Sequence, residues 1–447
     1  KLLAVVYGLL LLSGCASYGV IDNAELTTES TSQPYSLRAL SGKKGSGDII
    51  LTLAFSGGGT RAAALAYGVL EELRDTIVII GGQPRRLLDE IDNISSVSGG
   101  SFTSAYYGLY GERIFKDFKD EFLTRDIEGE LLHGLFNPLR WFSSKGRTEM
   151  AVELYEEHVF HGATFADMQR TGGPLIAINA SDLGYGVRFS FVQEYFDLLC
   201  SDLSTFPVAR AVAASSAVPV LFNPVVVKAY HGCRPDWLEQ SAEHVANNPA
   251  LEPIIRGLET YSDKSGRDYA HLVDGGITDN LGLRAIYEVM ELSGGPQKFL
   301  KTAGREPPRY NVVISVNAST EPEPAMDKTN RQPSMAETIN SMSNVQLHRY
   351  NDATIQLMQQ TLTKWTQAVS RPERPVTTYF PKLGFIDIEE PEPRSFFNSI
   401  PTSFSLTEEQ VDRLIEAGHE LLRNNPDYQR LLADLGGAQM PKLDGGH

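Results

Sequence analysis

The sequence predicts a three-layer α/β/α fold on a parallel-dominated central sheet, with a helical cap inserted at 111–172 and a helical extension beyond 320. Three observations carry this. A close-packed apolar run at 49–55 is followed by glycines and then by an Ala-rich stretch at 60–73, where Leu65, Val69 and Leu73 recur on one helical face. A second strand at 91–97 is again followed by glycines and a helix, at 99–110. Strand, glycine turn and helix in repetition argue for a parallel sheet covered by helices, and runs apolar on both faces suit strands buried in such a sheet.

Further elements follow in order. Residues 111–172 are irregularly charged and mostly helical, which interrupts the strand rhythm; 174–180 and 187–192 restore it. Short strand pieces are expected at 225–227 and 272–273, and 312–316 is the last core strand. Beyond it, 336–369 is a long helix, and 407–432 is a second one with a capping-box start, Ser405 followed by Glu408. The expected organisation is a leader at 1–14, a flexible tether at 15–47, a catalytic body at 48–320 and the helical extension at 321–447.

The 447-residue chain can bury a sizeable core, and its formal charge is −16 with no stripe of Lys and Arg. Nucleic acid is excluded as a natural partner, and anionic membranes would gain little from charge alone. Apolar attachment is implied at the start instead. Lys1 precedes an apolar run at 2–12, then Ser13, Gly14 and Cys15. The run is too short for a comfortable membrane span but fits a secretory leader. Leu12-Ser13-Gly14-Cys15 resembles the lipobox of bacterial lipoproteins, which implies acylation of Cys15, with Ala16 pointing to the outer membrane, facing the periplasm. Cys200 and Cys233 could pair in such an oxidising compartment or remain two free, partly buried thiols.

Three motifs carry chemistry. Ser56-Gly57-Gly58-Gly59-Thr60-Arg61 lies between strand and helix, where glycines let backbone N–H groups converge on an anion. It lacks the Gly-Lys-Ser/Thr ending of a phosphate loop, which leaves an oxyanion hole as the chemical use. Ser96-Val97-Ser98-Gly99-Gly100 places Ser98 on a second strand-to-helix turn. It departs from the usual Gly-x-Ser-x-Gly elbow, because Ser96 stands where the first glycine belongs. Asp274-Gly275-Gly276 puts a carboxylate at a strand end, free to reach a serine across a cleft. Each alone also reads as an ordinary turn.

Together, in this order, the three motifs resemble the patatin-like phospholipase family. The resemblance extends over Ala214-Ser215-Ser216-Ala217-Val218-Pro219, with Phe222 and Pro224, and over 277–282, so it covers about 49–320. It implies the patatin-like fold and a serine hydrolase of lipid acyl esters, with Ser98 as nucleophile and Asp274 as its proton-handling partner. It further implies Gly57, Gly58 and Gly59 as oxyanion donors, with no cofactor and no metal. Arg61 is expected to hold the loop, by pairing with a carboxylate, rather than to act directly. The rival α/β-hydrolase triad needs a histidine after the acid. Only His348, His419 and His447 follow Asp274, none in a strand-end loop, and His271 should face away from it on an extended strand. His158 and His161 lack a third metal ligand. The expected partners are a lipid or ester substrate and, through the anchor, a membrane. Residues 131–142, with Leu135, Phe136, Leu139, Trp141 and Phe142, could form an acyl-chain wall or lid, or simply pack a small core of their own. The altered elbow leaves a second reading: a catalytically inactive, membrane-anchored lipoprotein that binds lipid or a partner.

Overall fold

The apolar runs that precede glycine turns become adjacent parallel strands. The computed structural model describes residues 18–27, 34–37, 45–130, 146–219, 221–230, 232–245, 248–263, 266–321 and 325–439. Among these, nine strands form the central sheet: β1 (Ile49–Phe55), β2 (Ile91–Val97), β3 (Leu175–Asp182), β4 (Arg188–Ser190), β5 (Val225–Lys228), β6 (Tyr269–Asp274), β7 (Tyr310–Asn317), β8 (Thr377–Tyr379) and β9 (Lys382–Gly384). The order across the sheet is β8-β7-β1-β2-β3-β6-β5, with β9 also on β7 and β4 on β3. β7, β1, β2 and β3 run parallel, whereas β6 is antiparallel to both β3 and β5. β1 and β2 are buried along almost their whole length, as expected of strands covered on both faces.

The helices that matter most to the site are α1 (Thr60–Asp75), α2 (Gly99–Tyr110), α3 (Val208–Ser215), α4 (Leu283–Leu292), α5 (Met335–Val369), α6 (Glu408–Arg423) and α7 (Pro426–Asp434). The insertion at 111–172 is helical where described, and Phe118, Phe122, Tyr155 and Phe160 from it join the main core. Residues 131–142 lie outside the described residues, as do the leader and Cys15.

Three expectations change. The segment 15–47 is not a free tether where it is described: Ala24 and Glu25 pair antiparallel with Asp202 and Ser201. Asn23 exchanges two hydrogen bonds of 2.9 Å with the Lys228 backbone, and Tyr35 is buried with its hydroxyl accepting from Ile176 N–H at 2.6 Å. A polar, turn-rich composition hid these anchoring side chains. The region beyond 320 is not wholly helical either, since β8 and β9 extend the central sheet. The helix expected at 407–432 is two, α6 and α7, because Pro426 cannot continue α6 and Asn425 caps a new start. The capping box of α6 uses Thr407 and Gln410 rather than Ser405 and Glu408. Cys200 and Cys233 form a disulfide, with Cα atoms 5.3 Å apart.

α6 lies along α1 so closely that backbone meets backbone. A Cβ on Gly68 would sit 2.1 Å from Ile415 O, and one on Gly418 would sit 2.5 Å from Leu65 O. At the same contact His419 bridges Glu71 (3.1 Å) and Glu72 (3.2 Å), and Arg423 also binds Glu72 at 2.6 Å. Burial pulls the His419 imidazole down, but the two carboxylates outweigh it and push it up to about 9. This histidine is structural. Gly418→Ala should lower the unfolding free energy by about 1–3 kcal/mol, because the added methyl forces the two helices apart; an unchanged urea midpoint would contradict the close crossing.

Candidate active site

Strand register alone brings the motifs together. β1 and β2 are parallel neighbours, so the glycine loop after Phe55 and the turn after Val97 leave the sheet at the same edge. Val97 pairs with Asn179 on β3, while Asp274 on β6 pairs with Ala180. Ser98 and Asp274 therefore flank β3 from opposite sides at one level, roughly 10 Å apart along the sheet as two strand spacings require. Side chains close the remaining gap.

Ser98 occupies the left-handed region, with φ 49° and ψ −122°, and stands directly before α2. A serine is strained there, and its neighbours explain why the turn survives. Its N–H donates to Ser215 Oγ at 2.8 Å, and Ser215 Oγ donates onward to Asn179 O at 2.6 Å. A Cβ at Gly99 would lie 1.9 Å from Gly59 O, so only glycine admits the loop against the turn. Ser96, the departure from the usual elbow, is fully buried and accepts a 2.6 Å hydrogen bond from Ser104 in α2. The hydroxyl is thus accommodated inside the turn without displacing Ser98.

Asp274 is buried, and its N–H donates to Ala217 O at 3.0 Å. Gly275 N–H donates to Ser215 O at 3.1 Å, so the 214–219 block clamps both the serine turn and the aspartate. The Asp274 carboxylate accepts from Gly276 N–H at 2.7 Å and faces the Ser98 hydroxyl. Burial pushes its pKa up to about 6, partly offset by those two donors.

The glycine loop is pinned from several directions. Ser56 N–H donates to Val316 O at 3.0 Å, and Ser56 Oγ accepts from Ala318 N–H at 2.8 Å. Thr60 N–H donates to Ser403 O at 2.9 Å. Gly57 N–H donates to Asn280 O at 3.0 Å, which removes it from the three expected oxyanion donors. Among the described residues no acceptor engages the N–H groups of Gly58 (φ 142°) or Gly59 (φ 62°). Arg61 also differs from expectation, since no carboxylate pairs with it among the described residues. Its buried guanidinium donates to Ala318 O (2.8 Å), Ile400 O (2.6 Å) and Thr402 Oγ1 (3.0 Å). Burial without a counter-charge lowers its pKa to about 10, so it stays cationic at neutral pH directly behind Gly58.

The sequence offered no pointer to the 400–403 segment, which reads as a polar turn, nor to the exact duties of Ser215 and Asn280 within their blocks. Asn280 sits against Gly57 and Gly276 and donates to Ser319 Oγ at 3.2 Å. His271 is exposed on β6, on the face away from the buried Asp274, and His348 lies 3.8 Å from Glu321. Among the described residues no histidine hydrogen-bonds Ser98 or Asp274, and no group of three or more His, Cys, Asp and Glu side chains could hold a metal ion. No helix among them is long and apolar enough to cross a membrane.

Comparison with known proteins agrees with the sequence motifs. No curated protein matches the chain. Two solved structures that match at 12% identity are human GIVD cytosolic phospholipase A2, with a TM-score of 0.42, and the same protein in complex with methyl gamma-linolenyl fluorophosphonate, with a TM-score of 0.40. Each match covers 95% of this chain and 66% of the human one, so the chain spans just under two thirds of the length of those relatives. The family description Patatin-like phospholipase matches residues 53–287, which contain Ser98, Asp274, the glycine loop and the 214–219 block. The chain belongs to the patatin-like phospholipase family.

Proposed function

We propose that the protein hydrolyses acyl ester bonds of lipids, as a phospholipase A, lysophospholipase or esterase, through a Ser98–Asp274 dyad. The observation that carries this reading is the buried Asp274 carboxylate facing a serine held at a left-handed turn, beside a loop with two unengaged N–H groups. Ser98 Oγ attacks the ester carbonyl carbon while its proton passes to Asp274. The tetrahedral oxyanion is held by the N–H groups of Gly58 and Gly59, each worth about 2.7–4 kcal/mol in such sites. The Arg61 charge and the N-terminus of α2 add positive potential behind the loop. The tetrahedral intermediate collapses, Asp274 returns the proton to the leaving alcohol, and an acyl ester remains on Ser98. Water then attacks that ester, giving its proton to Asp274, and the fatty acid departs as Ser98 regains the proton.

A carboxylate whose pKa is raised is a better base than an ordinary one, and Asp274 needs no histidine to relay the proton. Ser96, the feature that favours an inactive reading, has a buried hydrogen-bonding place of its own. Acylation of Cys15 would keep this chemistry at an outer-membrane surface facing the periplasm, which suits a lipid substrate.

A fluorophosphonate probe should label the purified protein, and Ser98→Ala should abolish both the labelling and fatty-acid release from a lipid panel; absence of labelling in the unaltered protein sinks the hydrolase. Asp274 must be ionised to act, so kcat/KM should rise tenfold per pH unit below about 6 and level off above it. Asp274→Asn should cost about 10²–10⁴ in kcat. The same substitution should stabilise the fold. The carboxyl's folded pKa of about 6 lies above its unfolded value, so the protonated form favours folding, an advantage lost as pH rises through 6. At pH 8 the Asn variant should therefore melt higher, by up to ~3 kcal/mol of stability; a lower Tm would contradict a net penalty for the buried charge. Thr402→Val should lower kcat severalfold at unchanged KM, with recovery in Thr402→Ser, since only the acceptor for Arg61 is lost; equal kcat in all three would remove Thr402 from the loop's support.

A further inference from the structure

The second half of α5 is ordinary: Asn351, Thr354, Met358, Leu362 and Trp365 recur at helical spacing and are buried. The first half stands off the body. Met335, Ile339, Met342 and Val345 are 82%, 55%, 64% and 53% exposed. At about 100° per residue these four fall in one stripe, roughly on the opposite side of the helix from its buried face. Met326 and Pro333 flank the stripe and widen it into a shallow apolar groove. Residues 338–347 contain no charged side chain, in a chain whose formal charge is −16.

The stripe belongs to a helix whose later turns are tied to residues that support the site. Where α5 joins the body, Asn351 donates to Ser319 Oγ at 3.2 Å, and the same oxygen accepts from Asn280, which touches Gly57 and Gly276. Ile277, three residues after Asp274, is itself 52% exposed. We propose that the N-terminal half of α5 docks on an uncharged lipid surface through Met335, Ile339, Met342 and Val345. The proposal rests on the lipid-hydrolase reading and deepens it. An uncharged stripe on an acidic protein suits zwitterionic headgroups, because it adds apolar burial without bringing more negative charge to the surface. A second copy of the chain is a poorer fit. The four side chains offer on the order of 500 Å² of surface, against about 800 Å² per partner in a stable interface.

The test uses the full chain in a Cys15→Ser background, so that no acyl anchor holds it to lipid. Ile339→Glu/Met342→Glu alters two exposed helical positions that tolerate glutamate. Hydrolysis of phosphatidylcholine vesicles should fall at least tenfold in the double variant, while hydrolysis of a soluble short-chain ester stays within twofold. Co-sedimentation with the same vesicles should fall at least fivefold, a readout that needs no turnover. Equal vesicle binding by both proteins would overturn the proposal. So would a parent protein that sediments as a dimer and a variant that sediments as a monomer. A parent that binds vesicles but cleaves neither ester would fail the hydrolase and leave the docking surface standing.

Discussion

The whole site depends on one steric constraint: two strand-to-helix turns must touch backbone to backbone. The turn after β1 carries the glycine loop, and the turn after β2 carries Ser98. They leave neighbouring parallel strands at the same edge, and the space between them admits no side chain at Gly99. Glycine there lets the loop's amides lie beside the serine; any larger residue would push the two apart. The left-handed backbone of Ser98 is tolerable because the same packing, with Ser215 on its N–H, leaves it no alternative.

The family-matching region ends at 287, yet the loop is held largely from outside it. Carbonyls of Val316, Ala318, Ile400 and Ser403 take up N–H groups of Ser56, Arg61 and Thr60, and α6 braces the helix that follows the loop. The C-terminal region is therefore part of the folded body that carries the candidate site, not an appendage. This also places the cost of function. Asp274 is buried with the Gly276 N–H and the Ser98 hydroxyl as donors and, among the described residues, no cation contributing to its shifted pKa, and Arg61 is buried with neutral acceptors only. Both groups are unfavourable for folding where they stand, a cost that the proposed hydrolysis would explain.

Local patterns were legible in the sequence, and long-range contacts were not. The strands at 49–55 and 91–97 and the helix at 99–110 follow from apolar runs punctuated by glycine, and the structure reproduces their bounds. The strand-end placement of Ser98, Asp274, Gly58 and Gly59 was legible because glycine-rich turns at strand ends are informative in one dimension. Gly57 could not be separated from its neighbours, because the carbonyl that engages it belongs to Asn280, more than two hundred residues away. Arg61 pointed to a support role but not to its partners, since carbonyl acceptors leave no trace in side-chain identity. Tyr35 and Asn23 were missed within a polar stretch, and β8 and β9 are too short to show a period of their own.

The central claim is that an oxyanion formed at Ser98 is received by the amides of Gly58 and Gly59. It is tested most directly by a crystal structure of a fluorophosphonate adduct, whose phosphoryl oxygen stands where the oxyanion would be. The account predicts phosphorus bonded to Ser98 Oγ and that oxygen within about 3 Å of both amides, with Gly57 N–H still on the Asn280 carbonyl. An adduct on another residue, or a phosphoryl oxygen directed away from the glycine loop, would contradict it.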